Sequence, residues 1–578
     1  MKEDVGVTKN LRQLAALALS AALVFAACET TASPAPSGAA TQPPGTGEPS
    51  DPSVAAPPTQ IEELTVATFD TEFTLTALDI NYGYPGFELA KLQYDSLTGI
   101  DTGNEVREQL ATQWESNDDA TEWTFTLRDD VTWHDGEAFT ADDVAFTVRY
   151  ENDVVRGGGA FTVLRGFEAE VIDDTHVTIT TPQPEPELDR KLMRILILPE
   201  HIWDGVGDVE DLEESNRLIV ELADHTGTGP YMMGDYDPDR FYTFIANDNY
   251  FLGPPAVKRI VVPIIKDTTA LFAALRSGEV DAVVPPLQPE NIADFQNQPN
   301  IELVEGPTFS TRTLQINAAK EPFDDPIVRR AIGMMIDPQE LVDVVKLGQA
   351  VIGSQGYIHP NLPGAVQGLT LERDSAGANQ LLEDAGYRDT DGDGVRETPD
   401  GEPMAYDVVA WAEEPDMIRA ADLIREWGAE IGLDLTTAAT ETNAAVDLVW
   451  PGFNRSESGP ASFDLAVWNW SSGVLNVPSQ ALELFYDSDV VTGRLNVDFY
   501  ESSEMDGLID SLTATTDLDE RLTLMAQIQE LAFEDLPFIV LWYPVDTYAY
   551  NASAYDGWRF QDGLGIINRL SFLPQVYP

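Results

Sequence analysis

Residues 123–146 read WTFTLRDDVTWHDGEAFTADDVAF, and this stretch carries the signals for a strand, a turn and the start of a helix. Its first five residues alternate apolar and polar side chains, the period-two pattern of a strand with one buried face. The Asp-Gly step at 135–136 is a turn signal. Thr140 has an acidic residue three positions later, a capping-box pattern that predicts a helix over Ala141–Tyr150. A strand, a turn and a helix in so short a stretch favour an α/β protein.

Strand and helix signals continue to alternate on both sides of this stretch. Leu64–Thr68 reads as a strand. Asp267 or Thr268 is placed to cap a helix that Gly278 ends, and Asp325 caps a helix with proline at its first position. Helical patterns recur in three later segments: 377–385, 417–431 and 519–534. We therefore predict an α/β protein and neither an all-helical nor an all-β one.

Length, composition and charge limit the classes of protein that fit. The chain has 578 residues, too many for one core, so two or three domains are expected. Its 99 acidic and 33 basic residues give a net charge of −66. This argues against nucleic-acid binding, because phosphate backbones are held by clustered lysine and arginine. A single cysteine excludes an intrachain disulfide and a cysteine-based zinc site.

The first sixty residues predict an export signal followed by a tether. Three basic residues precede an uncharged run at 14–27 that is too short to span a membrane, so we predict a signal peptide over 1–27. Residues 28–60 are rich in proline and are predicted to be a disordered tether. Phe25–Cys28 resembles the lipobox of bacterial lipoproteins, which implies that Cys28 is acylated and anchors the protein to the membrane. The alternative is an ordinary signal peptide with an incidental thiol.

Motifs of common catalytic sites are missing from the sequence. The patterns GxSxG, HExxH and GxxxxGK[ST] are absent, and the five histidines are scattered without ligand spacing. Among 99 acidic residues, a pair of carboxylates alone is not informative about glycoside hydrolysis. We therefore predict that the protein is not an enzyme and requires no cofactor.

One acidic segment has the spacing of metal ligands. Asp389, Asp391 and Asp393 fit the pattern D-x-D-x-D-G, with Asp400 at the twelfth loop position. Carboxylates two residues apart, with a glycine that permits a sharp turn, suit Ca²⁺. The segment therefore predicts a structural calcium site. The alternative is a polar turn in which the aspartate side chains accept hydrogen bonds from the nearby backbone.

Several segments, taken in order along the chain, resemble the extracellular solute-binding proteins of family 5, which serve peptide and nickel ABC importers. The stretch 123–146 is the most specific of them, and the resemblance runs from about residue 64 to residue 550. The other segments are YDSLTG (94–99), LILPEHIW (196–203), GTGPY (227–231), NDNYF (247–251), ALRSGEVDAV (274–283), PFDDPIVRRAIGMMID (322–337) and LLEDAGYRDTDGDGVRE (381–397).

The resemblance implies a two-lobed fold like that of periplasmic binding proteins, of type II and in its large three-domain variant. The ligand would lie in a cleft between the lobes. A ligand that contacts both lobes binds the closed form better, and it therefore drives closure about a hinge. The implied segments are 61–95, 225–310 and 530–578 for domain I, 96–224 for domain II, and 311–529 for domain III.

The resemblance also implies where the ligand binds. In peptide-binding relatives, an aspartate shortly after a tryptophan of domain III pairs with the α-amino group of the peptide. Here Trp470 matches that tryptophan but Gly473 stands at the aspartate position, and a buried ammonium without a counter-charge is costly. The pair Trp468 and Trp470 instead predicts a neutral polar ligand such as a sugar, stacked on aromatic faces. The alternative is that both tryptophans share a buried face of one strand.

The predicted ligand contacts combine this strand with two other parts of the chain. Arg312 is included although it could equally be a structural residue held by salt bridges. The full set is Trp468, Asn469, Trp470, Ser471, Ser472, Tyr82, Tyr84 and Arg312.

We therefore predict an extracytoplasmic substrate-binding protein of an ABC importer, anchored by lipid and monomeric. It would capture an oligopeptide or another small polar solute between two lobes and deliver it to the permease in the membrane. An oligosaccharide-binding member of the same family is the first alternative. An extracytoplasmic glycan-degrading enzyme and a binding module without transport are the others.

Overall fold

A computed structural model describes residues 60–69, 89–155, 164–206, 225–237, 240–450, 461–470, 477–489 and 495–576. The chain separates into Met1–Ala55 and Ala56–Pro578, and every described residue lies in the second unit. Predicted features outside the described residues are the signal peptide, the tether up to residue 59, Cys28, Tyr82, Tyr84, Ser471 and Ser472. Within the described part, no helix is both long and apolar enough to cross a membrane.

Eighteen strands are present in the described residues. They are β1 Leu64–Ala67, β2 Thr98–Ile100, β3 Val106–Glu108, β4 Ala111–Ser116, β5 Glu122–Leu127, β6 Glu168–Asp173, β7 His176–Thr180, β8 Tyr231–Met233, β9 Phe241–Ala246, β10 Arg259–Pro263, β11 Ala282–Val283, β12 Ile301–Pro307, β13 Thr311–Ile316, β14 Ala350–Ile352, β15 Ala405–Trp411, β16 Asp434–Thr440, β17 Leu465–Trp470 and β18 Phe538–Asn551.

The helices of the described residues lie between these strands. They are α1 Ala141–Tyr150, α2 Leu188–Leu192, α3 Glu200–Trp203, α4 Thr268–Ser277, α5 Pro289–Phe295, α6 Pro326–Met335, α7 Pro338–Glu340, α8 Ser375–Ala385, α9 Pro415–Glu430, α10 Thr442–Val449, α11 Pro478–Tyr486, α12 Ser503–Ala514, α13 Leu518–Asp535 and α14 Arg569–Phe572. Two π-helical turns, Glu151–Val155 and Leu341–Val345, directly follow α1 and α7.

The stretch 123–146 forms the strand, turn and helix that its sequence predicts. Its strand is β5, and Gly136 adopts a φ of 98°, which a glycine accepts without strain. At the start of α1, the backbone N–H of Thr140 donates to a carboxylate oxygen of Asp143 at 3.0 Å, which completes the capping box. The same carboxyl group accepts from the indole N–H of Trp133 at 3.2 Å. The buried Asp143 therefore ties the turn to the helix.

A twelve-stranded sheet is the main frame of the described chain. Its strand order is β16-β15-β17-β13-β18-β11-β1-β10-β9-β8, and β12 and β14 also pair with β18. The long strand β18 connects the two halves, because its first part pairs with β13 and its later part with β12 and β11. A separate antiparallel sheet of four strands has the order β4-β5-β7-β6.

Parallel strands occur in both halves of the large sheet. In one half β15 runs parallel to β16 and β17, and in the other β1 runs parallel to β10 and β11. The carboxyl end of β17, at Trp470, pairs with Thr311, four residues beyond β12. Just beyond β11, the backbone N–H of Leu287 donates to the carbonyl of Thr547 in β18 at 2.7 Å. Both carboxyl edges therefore lie near the middle of β18, where ligands of open α/β sheets usually bind.

Strands β15 and β17 are apolar on both faces because each face meets a different core. In β17, Leu465 and Val467 pack into one hydrophobic cluster, while Ala466 and Trp468 pack into another. In β15, Val408 and Val409 alternate in the same way. Burial on both faces is typical of central strands of a largely parallel sheet.

Asp95 is the centre of a buried polar network that joins distant segments. Its side chain is fully buried and accepts from the hydroxyl of Thr228 at 2.9 Å and from that of Tyr250 at 3.0 Å. A nitrogen of Arg569 donates to it at 2.5 Å. The segments around 94–99, 227–231 and 247–251, which carry part of the family resemblance, therefore meet at one carboxylate. The division of the chain into domains I to III stays a prediction.

Candidate functional site

Charged side chains gather at the carboxyl edge of β15 and β17, beside the middle of β18. Arg312 is the second residue of β13, where it lies opposite Asn469 of β17. Two carboxyl groups of the set lie at the start of α9, shortly after β15, and a third lies in β18. The second cation is a lysine side chain that lies just before β14. We call this set the hinge cluster, and its members are Arg312, Lys346, Glu414, Asp416, Asn469 and Asp546.

Arg312 is held by three polar partners within the cluster. One of its terminal nitrogens donates to the side-chain oxygen of Asn469. Its guanidinium also lies 3.7 Å from a carboxylate oxygen of Glu414 and 3.9 Å from one of Asp416. Only 14 % of the Arg312 side chain is exposed, so the orientation of its planar fork is fixed.

Asp416 lies between two cations. The ammonium of Lys346 approaches it to 3.3 Å on one side, and Arg312 lies on the other. Burial alone would raise the pKa of Asp416, but Arg312 and Lys346 together lower it below its ordinary value. Burial raises the pKa of Glu414, an effect that Arg312 opposes and Asp416 adds to. Asp416 is therefore the ionised counter-charge of the cluster at neutral pH.

Several buried polar atoms at this edge have no hydrogen-bond partner among the described residues. They are Nε of Arg312, Oδ1 of Asp416 and the indole nitrogen of Trp411, the last residue of β15. Buried polar groups in a folded protein are normally satisfied, so these three atoms are available to a ligand or to ordered water. This edge of the sheet therefore has the hydrogen-bonding capacity of a binding site.

The structure brings two of the predicted contact residues, Arg312 and Asn469, directly together. The tryptophans on either side of Asn469 lie in a hydrophobic core, where Trp468 is 2 % and Trp470 is 5 % exposed. The ring of Trp468 packs edge-on against Trp411 with centroids 5.2 Å apart. This burial matches the alternative in which both tryptophans share a buried face. The predicted ligand contacts of Trp468 and Trp470 stay untested.

Sequence reasoning did not identify Lys346, Glu414, Asp416 or Asp546. None of them belongs to a motif, and 99 acidic residues conceal any single important carboxylate. For Glu414 and Asp416 the usable signal is their position, directly before the helix predicted over 417–431. For Lys346 and Asp546 we find no such signal in the sequence.

The predicted calcium loop forms a compact acidic turn. Oxygens of Asp389, Asp391, Asp393 and Glu397 all lie within 4.8 Å of one another. Asp400, the predicted fourth ligand, is not in this group because it belongs to the next turn, closed by Gly401. The carboxylate of Asp389 accepts from backbone N–H groups of the loop at 2.6 and 3.0 Å, as the polar-turn alternative expects. Calcium binding stays a prediction.

We expect Ca²⁺ to raise the melting temperature of chelator-treated protein, because four clustered carboxylates repel one another without a cation. The Asp391→Asn variant should lose most of that increase. Differential scanning fluorimetry with and without Ca²⁺ measures it, and Mg²⁺ at the same concentration controls for ionic strength. An unchanged melting temperature on addition of Ca²⁺ would contradict the predicted calcium site.

A cavity of about 400 Å³ lies away from the hinge cluster, between the α2 region and α13. Apolar side chains of α13 line one side of it, including Leu518, which is 69 % exposed. At its edge Glu187 accepts from Arg521 at 2.7 Å and from the hydroxyl of Ser479. These bonds link a segment of predicted domain II to two segments of predicted domain III.

Comparisons with known proteins agree with this architecture. The family model of the bacterial extracellular solute-binding proteins, family 5, matches residues 105–492. The oligopeptide-binding protein AppA of Bacillus subtilis is 26 % identical over 463 residues, which cover 79 % of this chain and 82 % of that protein.

Solved structures share the fold. That of Bacillus subtilis AppA in complex with a nonapeptide superposes with a TM-score of 0.71 at 22 % identity, covering 89 % of this chain and 99 % of that one. A mannohexaose-bound periplasmic oligopeptide-binding protein from Thermotoga maritima gives a TM-score of 0.70 at 22 % identity, covering 89 % and 98 %. The predicted α/β, two-lobed fold of periplasmic-binding-protein type is thereby confirmed. The chain belongs to the bacterial extracellular solute-binding proteins of family 5.

Proposed function

We propose that this protein is the substrate-binding protein of an ABC importer and that it captures a peptide, or a similar small polar solute, for delivery to the permease. Family membership supplies solute binding, and relatives named as oligopeptide-, dipeptide- and glutathione-binding proteins support the solute class. The hinge cluster carries the proposal. Fixed cations and anions side by side complement a zwitterion such as a peptide, whose termini bear opposite charges.

The oligosaccharide alternative loses its main support in the structure. It relied on Trp468 and Trp470 offering open ring faces for stacking, and both rings are almost completely buried. A structural relative with bound mannohexaose shares only the fold at this level of identity. The glycan-degrading alternative is likewise weakened, because the activity of the family is solute binding. Peptide capture is therefore the function that the cluster favours.

Two pools of ligands test the proposal directly. Purified mature protein would be melted with a mixed pool of short peptides and, separately, with a mixed pool of oligosaccharides. A ligand at about 100 times its dissociation constant adds roughly 2.7 kcal/mol to the free energy of unfolding. The melting temperature then rises by a readily measured amount. We expect a shift with peptides alone, and mass spectrometry of the retained peptides identifies the ligand. A shift with oligosaccharides alone would overturn the peptide assignment.

The contact of Glu187 with Arg521 is expected to stabilise the ligand-bound, closed state. It joins segments that predicted domains II and III contribute, and opening of a cleft between the domains would break it. Glu187→Gln keeps the shape but replaces a charge-assisted hydrogen bond by a weaker neutral one. We expect ligand release to become faster by about threefold to tenfold, measured by stopped-flow fluorescence.

A matched control for that variant is Glu200→Gln, which removes an exposed pair with Arg149 at 3.2 Å. Both residues of this pair lie within predicted domain II, so opening of the cleft would leave their contact in place. Release from this variant should match that of the unmodified protein. Equal release rates for Glu187→Gln and Glu200→Gln would show that the Glu187 contact does not hold the closed state.

We also propose that Cys28 is acylated and anchors the protein outside the cytoplasm. The small residues before this cysteine and the apolar run at 14–27 support it. Cys28→Ser should move the protein from the membrane fraction to the soluble fraction, detected by immunoblot after ultracentrifugation. Persistent membrane association of the variant would contradict the anchor.

A further inference from the structure

Asp546 occupies the point of β18 where the strand passes from one half of the sheet to the other. It pairs in register with Gly306 of β12, and four residues earlier Trp542 pairs with Arg312 of β13. Its side chain is only partly exposed. Of all the residues of the hinge cluster, it is the one carried by the strand that both halves share.

The carboxylate of Asp546 has no cation of its own. Among the described residues, no lysine, arginine or histidine nitrogen lies within 4.0 Å of it, and its hydrogen-bond donor is the hydroxyl of Tyr548 at 3.3 Å. Arg312 and Lys346 are near enough to favour its charged form, but both are committed to Glu414 and Asp416. A crowded carboxylate without a paired cation is unfavourable, and an incoming cation would relieve this.

The other two carboxyl groups of the cluster are already occupied. Asp416 is held between Arg312 and Lys346, and Glu414 faces Arg312 at 3.7 Å. Oδ1 of Asp416 also lacks a hydrogen-bond donor among the described residues, but Asp546 differs from Asp416 and Glu414 in having no cation within 4.0 Å.

We propose that Asp546 accepts the ammonium group of the captured solute and thereby makes this protein selective for ligands with a free amine. The inference rests on the proposed function and names the group that receives the positive charge of the solute. The ammonium would lie at the middle of β18, between the two carboxyl edges. The anionic end of a zwitterionic ligand is then free to reach the Arg312 side of the cluster.

The assignment predicts a pH dependence with a definite sign. Burial raises the pKa of Asp546 to about 6, an effect that the charges of Lys346 and Arg312 and the hydrogen bond from Tyr548 reduce. Above that pH the carboxylate is ionised and attracts an ammonium; below it the carboxyl group is neutral and does not. Affinity should therefore fall as the pH decreases through about 6, by roughly tenfold between pH 7 and pH 5.

Acetylation of the ligand tests the inference without altering the protein. The probe is a pool of short peptides made without lysine, offered with free amino termini and, separately, after N-acetylation. We expect acetylation to weaken binding to the unmodified protein at least tenfold at pH 7.5. Equal affinity for the two pools would overturn the role of Asp546, whereas failure of both pools to bind would overturn the proposed function itself.

The Asp546→Asn variant completes a thermodynamic cycle. Because burial disfavours the charged carboxylate, we expect this variant to melt at the same temperature or higher. Acetylation should cost it less than twofold in affinity, and its binding should no longer depend on pH near 6. The control is Asp487→Asn, because burial also raises the pKa of the Asp487 carboxyl group. This variant should show the same acetylation effect and the same pH dependence of binding as the unmodified protein. An undiminished acetylation effect in Asp546→Asn would overturn the inference.

Discussion

Replacement of Asp95 by asparagine should strongly destabilise the protein. The variant keeps a similar shape but leaves the buried guanidinium of Arg569 without its counter-charge, and it presents an amide N–H group to the donors of Thr228 and Tyr250. Removing one partner of a buried ion pair typically costs about 3–5 kcal/mol. For a chain of this size we expect the melting temperature to fall by roughly 3–5 °C, measured by differential scanning calorimetry.

An exposed ion pair supplies the control for Asp95. Glu62 pairs with Lys258 at 2.6 Å, but its side chain is 83 % exposed. Surface pairs of this kind contribute little, since water and salt screen them. The melting temperature of Glu62→Gln should therefore equal that of the unmodified protein. If Asp95→Asn also melted unchanged, the network at Asp95 would not be what joins the surrounding segments.

Replacement of Arg312 by glutamine should have the largest effect on ligand binding. The guanidinium fixes Asn469, balances Glu414 and shares Asp416 with Lys346, so its loss disorganises the hinge cluster and removes a cation from the site. Loss of one member of a hydrogen-bonded charge pair in a binding interface commonly costs about 2–5 kcal/mol. We expect affinity for a peptide identified from the pool to fall at least about thirtyfold, measured by isothermal titration calorimetry.

Arg373 offers a matched comparison for Arg312. It also pairs with carboxylates, Glu340 at 3.7 Å and Glu430 at 2.8 Å, but it lies outside the hinge cluster. Arg373→Gln should bind the peptide like the unmodified protein. An Arg312→Gln protein that folds and binds with unchanged affinity would show that the ligand does not use this cluster.

The local structure could be predicted because its signals are local. The Thr140 capping box, the Asp267 cap with Gly278 in a left-handed conformation, and the Asp325 cap all occur as the sequence indicates. Each depends on residues within a few positions of one another, so one pass along the chain finds them. The two-lobed arrangement has no such local signal, and only the family resemblance indicates it.

The site was only partly predictable because it is built by long-range pairing. The sequence indicates Arg312 and Asn469 as separate candidates, because they lie 157 residues apart in the chain. They become partners only because β13 pairs with β17 in the register that places them opposite each other. The period-two pattern of β17 could not decide whether Trp468 and Trp470 face a ligand or a core. Both cores of this half are covered by helices, so each face of β17 is buried. The position of Asp546 in the site depends on β18 passing from one half of the sheet to the other, which no local sequence pattern indicates.

The position of a bound peptide tests the role of the hinge cluster most directly. A peptide identified from the pool would be co-crystallised with the mature protein and located in the electron density. We expect it to lie at the carboxyl edges beside the middle of β18, with its amino group on Asp546 and polar contacts to Arg312 or Asn469. A peptide found instead in the cavity between Glu187 and α13, with the hinge cluster untouched, would contradict peptide capture at this cluster.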